Sequence, residues 1–575
     1  MQSILQYRRF GEHIRLQYER DKGKAASLGR EDQAALPLGD QPDDSKSSSE
    51  TAFKDAEDLE KAEGSRGAPF GQGSFATDQE GEPGSLKRDV TKDTMETMGT
   101  HLGAALTGIH VRSRSHQGGK VFVVGYEGEK DIMNPHNWGW SQRWMATINV
   151  AWIGFIVGLA SSIDSAAVEQ SAEEFGVSEV AASLATGPCS ETVGRNPVYI
   201  VTLSLYMIWI MAAGLAPNFG SQIVFRLLAG FFASTPLTCA AGTISDIFSP
   251  MERIYVFPIF ANAAFMGPVL GPVIGGFIGQ SSLISWRWTE WITLIWSGLI
   301  FFLVLFFQPE TYAPTLLKWK AEHLRRLTGD NRYRAEIEIR GDTFRTRLGH
   351  SLYRPFVLTA SEPIIILFTL YLTVVYIILF GFLNGYTFIF TDTYGFSQGM
   401  TGLMFLGIAV GLCVCTCLVP LIYRWAQRDM QKIRAEGGDR LPPEFRLWYA
   451  IFGAPAIPIS LFWMGWTATP SISPWSPLLA SVLFGFGILT IFISTYQYLI
   501  DAYEVFAASA LSSVTLVRYV AAGGIVEVAI PMYSKLGVHW TLTLLGCISA
   551  VMVPVPYAFY IWGPKIRGRS KYASL

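Results

Sequence analysis

The chain has 575 residues, of which 50% are hydrophobic and only 16% are charged, with 37 Phe, 23 Tyr and 17 Trp. A soluble protein needs about 25% charged residues to cover its surface, so the composition excludes a multidomain soluble protein and indicates an integral membrane protein. The formal net charge of −2 provides no basic excess for binding nucleic acid, and the six cysteines form neither a disulfide framework nor a zinc-ligand pattern.

The first 140 residues are predicted to form a disordered arm. Residues 40–84 are rich in Ser, Asp, Glu, Lys, Gly and Pro and contain few large apolar side chains, so burial could not offset the chain entropy lost on folding. The first thirty residues are more basic and carry scattered apolar positions, which leaves a weak amphipathic surface helix open as an alternative to a frayed tail. Because they lack the apolar segment of a secretory signal peptide, we expect the arm to be cytoplasmic.

Beyond residue 145 the chain contains long stretches without Asp, Glu, Lys or Arg, and a spanning helix needs roughly 20 such residues. The stretch 447–500 is long enough for two helices, and 507–531 is apolar apart from Arg518 and Glu527. Because the apolar runs are continuous rather than alternating, they exclude a β-barrel and predict an all-α integral membrane protein with eleven full spans. The predicted spans are 146–163, 198–216, 227–245, 254–286, 291–309, 363–391, 393–423, two within 447–500, 507–531 and 536–564.

The distribution of Lys and Arg between the loops predicts the orientation of these spans. Ten basic residues lie in 313–355, six in 424–446 and four after residue 562, so these segments and both termini are expected in the cytoplasm. The expected organisation is the arm 1–140, a membrane half 145–310, a basic central loop 311–362, a second membrane half 363–562 and a basic tail 563–575.

One span is missing from this pattern. The arm and the segment just before residue 198 both belong on the cytoplasmic side, which requires an even number of crossings between them, but only 146–163 is visible. Residues 180–187 would form about 12 Å of helix, against a hydrocarbon core of about 30 Å. We therefore expect the second helix to be largely missing near 180–188, through either an incomplete gene model or a genuine deletion.

Three motifs point to a known family. The run from Gly187 to Asn196 resembles the loop signature between the second and third helices of the major facilitator superfamily, with Asn196 in place of a second basic residue. Residues 225–230 resemble the superfamily's fourth-helix motif with a buried arginine, Arg226. Residues 267–276 resemble the fifth-helix motif of its proton antiporters, which its uptake permeases usually lack. The resemblance implies two six-helix halves, with the second helix truncated here.

Shorter motifs resemble fungal twelve-span drug:proton antiporters, and among these the branch of cercosporin-type toxin exporters. The resemblance covers residues 131 to about 565 and implies efflux of an apolar or amphipathic small molecule, such as a secondary metabolite, toxin or drug, across the cell membrane. It implies that the proton gradient, rather than a cofactor, drives a monomeric transporter. Polyamine or nutrient transport, a non-transporting sensor and an inactive transporter remain alternatives. The motifs just mentioned are 134–138, 309–312 and 501–503 for the wider family, and 161–165 and 190–199 for the branch.

Three charged residues are candidates for transport and coupling. A buried arginine in hydrocarbon costs at least ~2.5–3.5 kcal/mol, so Arg226 should face a cavity or a partner, either to couple substrate to proton or as a structural hydrogen-bond hub. Asp164, near the outer end of the first span, is either protonatable during transport or interfacial. Arg518 lies near mid-membrane, and Glu527 should project from the opposite face of the same helix.

Two further groups of residues follow from the family motifs. An inner gate is expected near Asp246, which would pair with the loop signature between the second and third helices; the alternative is a solvated charge at a helix end. The glycines and prolines of the fifth-helix motif permit close packing and a bend, which is compatible with sealing the protein against proton leak. The gate residues are Gly187, Glu191, Gly194, Arg195 and Asp246; the antiporter-motif residues are Gly267, Pro268, Gly271, Pro272, Gly275 and Gly276.

Overall fold

A computed structural model describes most of the membrane region and parts of the arm. Within the described residues the chain is helical except for one small three-stranded sheet. Asp164, Gly187 and Glu191, together with the whole region of the expected second helix, lie outside the described residues. The described residues are 2–34, 109–113, 120–126, 131–163, 194–281, 283–339, 353, 355–438, 440–503 and 507–570.

Among the described residues, the first half of the chain contributes one helix in the arm, five long membrane helices and two helices after them. These are α1 (Gln2–Ala34), α2 (Trp140–Ser162), α3 (Arg195–Gly214), α4 (Phe219–Ile247), α5 (Pro250–Gln280), α6 (Trp288–Phe307), α7 (Ala313–Thr328) and α8 (Glu336–Ile339).

The second half is built from longer helical stretches that are divided by short irregularities. These are α9 (Pro363–Tyr386) with the π-helical turn Thr387–Thr393, α10 (Gln398–Met404), α11 (Leu406–Cys417), α12 (Val419–Ala435), the 3-10 turn Pro443–Leu447, α13 (Trp448–Gly453), α14 (Ala456–Thr467), α15 (Trp475–Tyr503), α16 (Ala507–Met552) and α17 (Pro554–Arg567).

By length and composition, ten helical stretches among the described residues could cross a membrane. The last, Ser509–Arg567, is 59 residues long, equivalent to about 88 Å of helix and too long for a single crossing. It is interrupted at Gly537, whose φ of 76° and ψ of 168° lie outside the helical region, so it comprises two helices. Each predicted span overlaps one of these helical stretches, and the all-helical membrane fold is confirmed.

Helix α5 joins the two halves. It packs against α2 and α4 of its own half and against α10, α11 and α15 of the other. Proline at 258, 268 and 272 does not interrupt it, and a capping box between Ser249 and Glu252 closes its first turn. The residues of the antiporter motif therefore lie where the halves meet.

Parts of the arm that we expected to be disordered form a helix and two strands. Strand β1 (Ile109–Ser113) pairs antiparallel with β2 (Lys120–Val124), which pairs in parallel with β3 (Tyr333–Arg334) of the central segment. Phe10 and Ile14 of α1 are buried in one cluster with residues of β2 and α7. The expectation of disorder is wrong for these parts, because distant segments bury apolar positions that looked isolated in the sequence.

Candidate functional site

The first latch, defined as Arg195, Asp246 and Glu310, closes one end of the first half. The Glu310 carboxylate accepts hydrogen bonds from the backbone N–H groups of Arg195 at 2.9 Å and Asn196 at 3.1 Å, where α3 begins. It also accepts from the N–H groups of Thr311 and Tyr312, at 3.0 and 2.9 Å. A helix N-terminus has free N–H groups and a positive dipole end, so a carboxylate is well placed there.

An ion pair completes this latch. Arg195 donates from Nε to Asp246 Oδ2 at 3.2 Å, and its guanidinium lies 5.3 Å from the centre of the Tyr312 ring. Burial raises the pKa of the Glu310 carboxyl, while its amide donors and Arg195 act in the opposite direction. The structure thus brings Arg195 and Asp246 together, as the family resemblance implied, and adds Glu310, whose part the sequence analysis missed.

Two glycines make room for the first latch. Gly194 has a φ of +111°, and a Cβ atom there would lie 2.7 Å from Glu310 Oε2. A Cβ atom on Gly242 would lie 2.4 Å from Arg195 Nη2. Both contacts are closer than real Cβ atoms approach, so any side chain at either position would displace the latch.

Helix α1 of the arm docks beside the first latch. The Gln6 side chain donates to the Glu310 carbonyl at 3.1 Å and accepts from the Glu310 N–H at 2.8 Å. His323 of α7 lies 3.1 Å from the Tyr7 carbonyl, and its ring packs on that of Tyr7 with 4.3 Å between centroids. The sequence carried no signal for this contact, since Gln6 and Glu310 are 304 positions apart.

The second latch, defined as Arg446, Asp501 and Arg253, closes the same end of the bundle, which we call the latch face. Arg446 pairs with Asp501 at 2.5 Å and also donates to the Pro250 carbonyl at 2.6 Å. Arg253 pairs with the other Asp501 oxygen at 3.3 Å. Since Pro250 and Arg253 begin α5, this latch ties the second half to the first.

The two latches repeat one arrangement in both halves of the chain. Arg195 precedes Asp246 by 51 residues, and Arg446 precedes Asp501 by 55 residues. In each half the arginine lies where one membrane helix begins and the aspartate where the next one ends. This spacing is a signal that sequence reasoning had available and did not use, because Arg446 was counted only as a basic loop residue.

Arg226 lies towards the opposite end of the bundle. Its Nε is 2.7 Å from Glu290 Oε1, and the Glu290 side chain is only 1% exposed. Close by, Arg287 donates to the carbonyls of Gly214 and Ala216, at 3.1 and 2.9 Å, where α3 ends. Arg226 therefore has the partner that its burial required, and the sequence analysis did not name that partner.

Arg518 is enclosed by aromatic rings. Its guanidinium carbon lies 4.4 Å from the Tyr376 ring centre, 5.0 Å from Tyr519, 5.2 Å from Tyr496 and 5.6 Å from Phe492. The residue is 2% exposed. Glu527 is exposed, so the two charges project from opposite faces of α16 as their spacing predicts.

The antiporter motif is a packing surface with contacts on two sides. A Cβ atom on Gly267 would lie 2.2 Å from the Phe155 carbonyl oxygen of α2, and one on Gly271 would lie 2.1 Å from Ser162 Oγ. On the other side, Gly276 faces the Gln398 carbonyl of α10 at 2.9 Å. These distances support the close-packing interpretation of the motif, and α5 remains one continuous helix through Pro268 and Pro272.

The described candidates do not form a single cluster. The latches occupy one face, Arg226 lies near the other, and Arg518 lies between them in depth. This distribution differs from an enzyme active site, in which reacting groups converge within hydrogen-bond reach. It suits a protein whose charged groups act at different depths of a membrane.

Comparisons with known proteins agree with this architecture. Residues 142–527 match the family model described as Major Facilitator Superfamily. The chain is 56% identical over 465 residues to the MFS-type transporter kojT of Aspergillus flavus, covering 78% of this chain and 82% of that protein. It is 34% identical over 505 residues to the ascochitine biosynthesis cluster MFS transporter of Didymella fabae, covering 85% of this chain and 94% of that protein.

A solved structure shows the same fold. The MFS proton:xylose symporter XylE, bound to 6-bromo-6-deoxy-D-glucose, superposes with a TM-score of 0.53 at 14% sequence identity, covering 74% of this chain and 97% of that chain. At this identity the likeness concerns the fold alone. The family model and the fungal relatives together confirm the expected resemblance and a multi-pass membrane transporter rather than an enzyme. The chain belongs to the major facilitator superfamily.

Proposed function

We propose that this protein exports a small apolar or amphipathic molecule, a fungal secondary metabolite, in exchange for protons by alternating access. The relative from Didymella fabae is named for a biosynthesis cluster, which supports a secondary metabolite as the cargo. The fifth-helix motif at residues 267–276 supports an antiporter rather than an uptake permease.

The observation that carries the proposal is the second latch. Its ion pairs and the Arg446 bond to the Pro250 carbonyl join the two halves at the latch face. Alternating access requires the halves to separate at one face while they close at the other. Breaking the polar contacts of this latch would release the two halves from each other at the latch face.

Proton coupling is assigned to the pair formed by Arg226 and Glu290. Glu290 is a buried carboxylate that forms an ion pair with Arg226, and protonating it would remove the negative charge that this arginine faces. A change of one proton at this site would thus alter the charge balance near the end of the bundle opposite the latches. We place the latch face in the cytoplasm, since the basic segments 313–355 and 424–446 lie on that side.

The test uses the full chain in sealed vesicles with an acidic interior. Uptake of 2-naphthoate, 2-naphthamide and 1-naphthylmethylammonium, three planar probes of different charge, is compared with that of protein-free vesicles. We expect at least one probe to accumulate only with protein, and a protonophore to abolish the accumulation. Flux that survives the protonophore excludes proton exchange, and a protein that moves none of the probes fits the sensor or inactive-transporter alternatives instead.

A further inference from the structure

Arg518 is a buried cation whose hydrogen-bonding capacity is only partly used. It is 2% exposed, and within the described part of the chain its Nε and Nη1 atoms have no hydrogen-bond partner. Guanidinium has five N–H donors in a planar fork, and leaving buried donors unsatisfied costs free energy. The four surrounding rings offset part of this cost through cation–π attraction. Tyr519 also forms a hydrogen bond with the guanidinium, which still leaves Nε and Nη1 without an acceptor within the described residues.

The surroundings of Arg518 differ from those of the other buried or half-buried arginines in ion pairs. Arg195 pairs with a carboxylate at 3.2 Å, Arg226 with one at 2.7 Å and Arg446 with one at 2.5 Å. Around Arg518, the groups in the described residues that act on its charge are the phenols of Tyr376, Tyr496 and Tyr519. A phenol is neutral at physiological pH, so within the described residues no carboxylate balances the charge of this arginine.

The position of Arg518 suits a transported ligand. Arg518 lies about 16 Å along α16 from the latch face, Tyr376 about 20 Å along α9 and Phe492 about 16 Å along α15. Three helices therefore place the group near the middle of a hydrocarbon core that is about 30 Å thick. Phe492 also contacts Phe265 of α5 with 4.7 Å between ring centroids, so the group adjoins the interface between the halves.

We propose that Arg518 binds the anionic group of a planar organic substrate, an aromatic carboxylate or an enolate, and that the rings of Tyr376, Phe492 and Tyr496 hold its planar body. The two oxygens of such a group match the guanidinium fork and would accept bonds from the unpartnered N–H donors. The aromatic side chains would pack on the faces of the substrate ring. This inference rests on the proposed transport function and names the class of its substrate.

The test is a binding measurement on the full chain in lipid nanodiscs without any proton gradient. The probes are 2-naphthoate and 2-naphthamide, which share shape and apolar area but differ in charge. We expect the wild-type protein to bind naphthoate more tightly by on the order of ten- to a hundredfold, the range of a charge-assisted hydrogen bond. Equal affinity for the two probes would overturn the proposal.

Variants separate recognition of the anionic group by Arg518 from nonspecific binding of the probes. Arg518→Gln should bring the affinity ratio close to one, whereas Arg428→Gln, a control at an exposed position on α12, should leave it unchanged. Arg518→Lys keeps the charge and loses the fork, so the ratio should fall several-fold while naphthamide binding stays constant. This second variant decides the matter if the glutamine variant fails to fold. A ratio that survives both substitutions refutes the site.

The result is independent of the proposed proton exchange. Naphthoate preference that depends on Arg518, in a protein without proton-driven flux, would refute only the exchange mechanism. Proton-driven flux of a probe, with no naphthoate preference, would refute only the anion site.

Discussion

The ion pair between Arg226 and Glu290 allows a quantitative test. Arg226→Met removes the guanidinium 2.7 Å from Glu290 Oε1 and leaves a carboxylate that is 1% exposed without this partner. Removing one member of a buried ion pair costs about 3–5 kcal/mol. Because the Arg226 side chain is 28% exposed, solvent screening places the loss of folding free energy near the lower limit, at about 3 kcal/mol.

Removing both charges should be less damaging than removing one. In the variant Arg226→Met/Glu290→Gln no buried charge is left unpaired, so we expect most of the lost stability to return and a coupling energy of about 2 kcal/mol in the double-mutant cycle. Melting temperatures of the four proteins in one detergent provide the stability measurement, and probe uptake by vesicles provides the activity. Purely additive losses would refute the ion-pair reasoning.

The same four proteins separate the two roles that were considered for Arg226. A double variant that is stable but inactive supports a role in coupling. A double variant that is stable and transports at the wild-type rate shows that Arg226 and Glu290 serve only to hold α4 against α6.

Three further predictions concern packing, backbone and pH. Gly267→Ala places a Cβ atom 2.2 Å from a carbonyl oxygen of α2 and should lower the folding stability by about 1–3 kcal/mol, seen as a lower melting temperature. The control Gly524→Ala, whose Cβ atom would have nothing within 4 Å, should leave the melting temperature almost unchanged. Gly194→Ala would introduce a side chain at a φ of +111°, with its Cβ atom 2.7 Å from Glu310 Oε2, so it should reduce both the melting temperature and transport. The control Gly329→Ala, at a φ of +71° with nothing within 4 Å, should cost only about 1–2 kcal/mol of backbone strain. Burial lowers the pKa of His323, so the neutral form of this histidine favours the docked arm. Docking should therefore persist at neutral pH and weaken as the pH falls below about 6.5. Limited proteolysis measures the protection of α1, and protection that does not change between pH 7.5 and 5 would contradict this reasoning.

The membrane architecture follows from local features of the sequence. A helix in hydrocarbon satisfies its own backbone hydrogen bonds, so a long stretch without charges is sufficient to predict a span. This is why the eleven predicted segments, including the two within 447–500, all overlap membrane-length helical stretches. The close-packing interpretation of the glycines at 267 and 271 also came from local sequence, since small residues at regular spacing indicate close helix contact.

The partners of the buried charges could not be obtained in the same way. Glu290 is 64 positions from Arg226, and Glu310 is 115 positions from Arg195, so neither pairing can be recognised from the local sequence. The arm was misjudged for the same reason, because Phe10 and Ile14 are too sparse for a core until α7 and β2 supply the rest of it. Hydropathy indicates whether a segment is stable in water or in lipid. Ion pairs and small cores depend instead on which segments are in contact, and the packing of the helices determines those contacts.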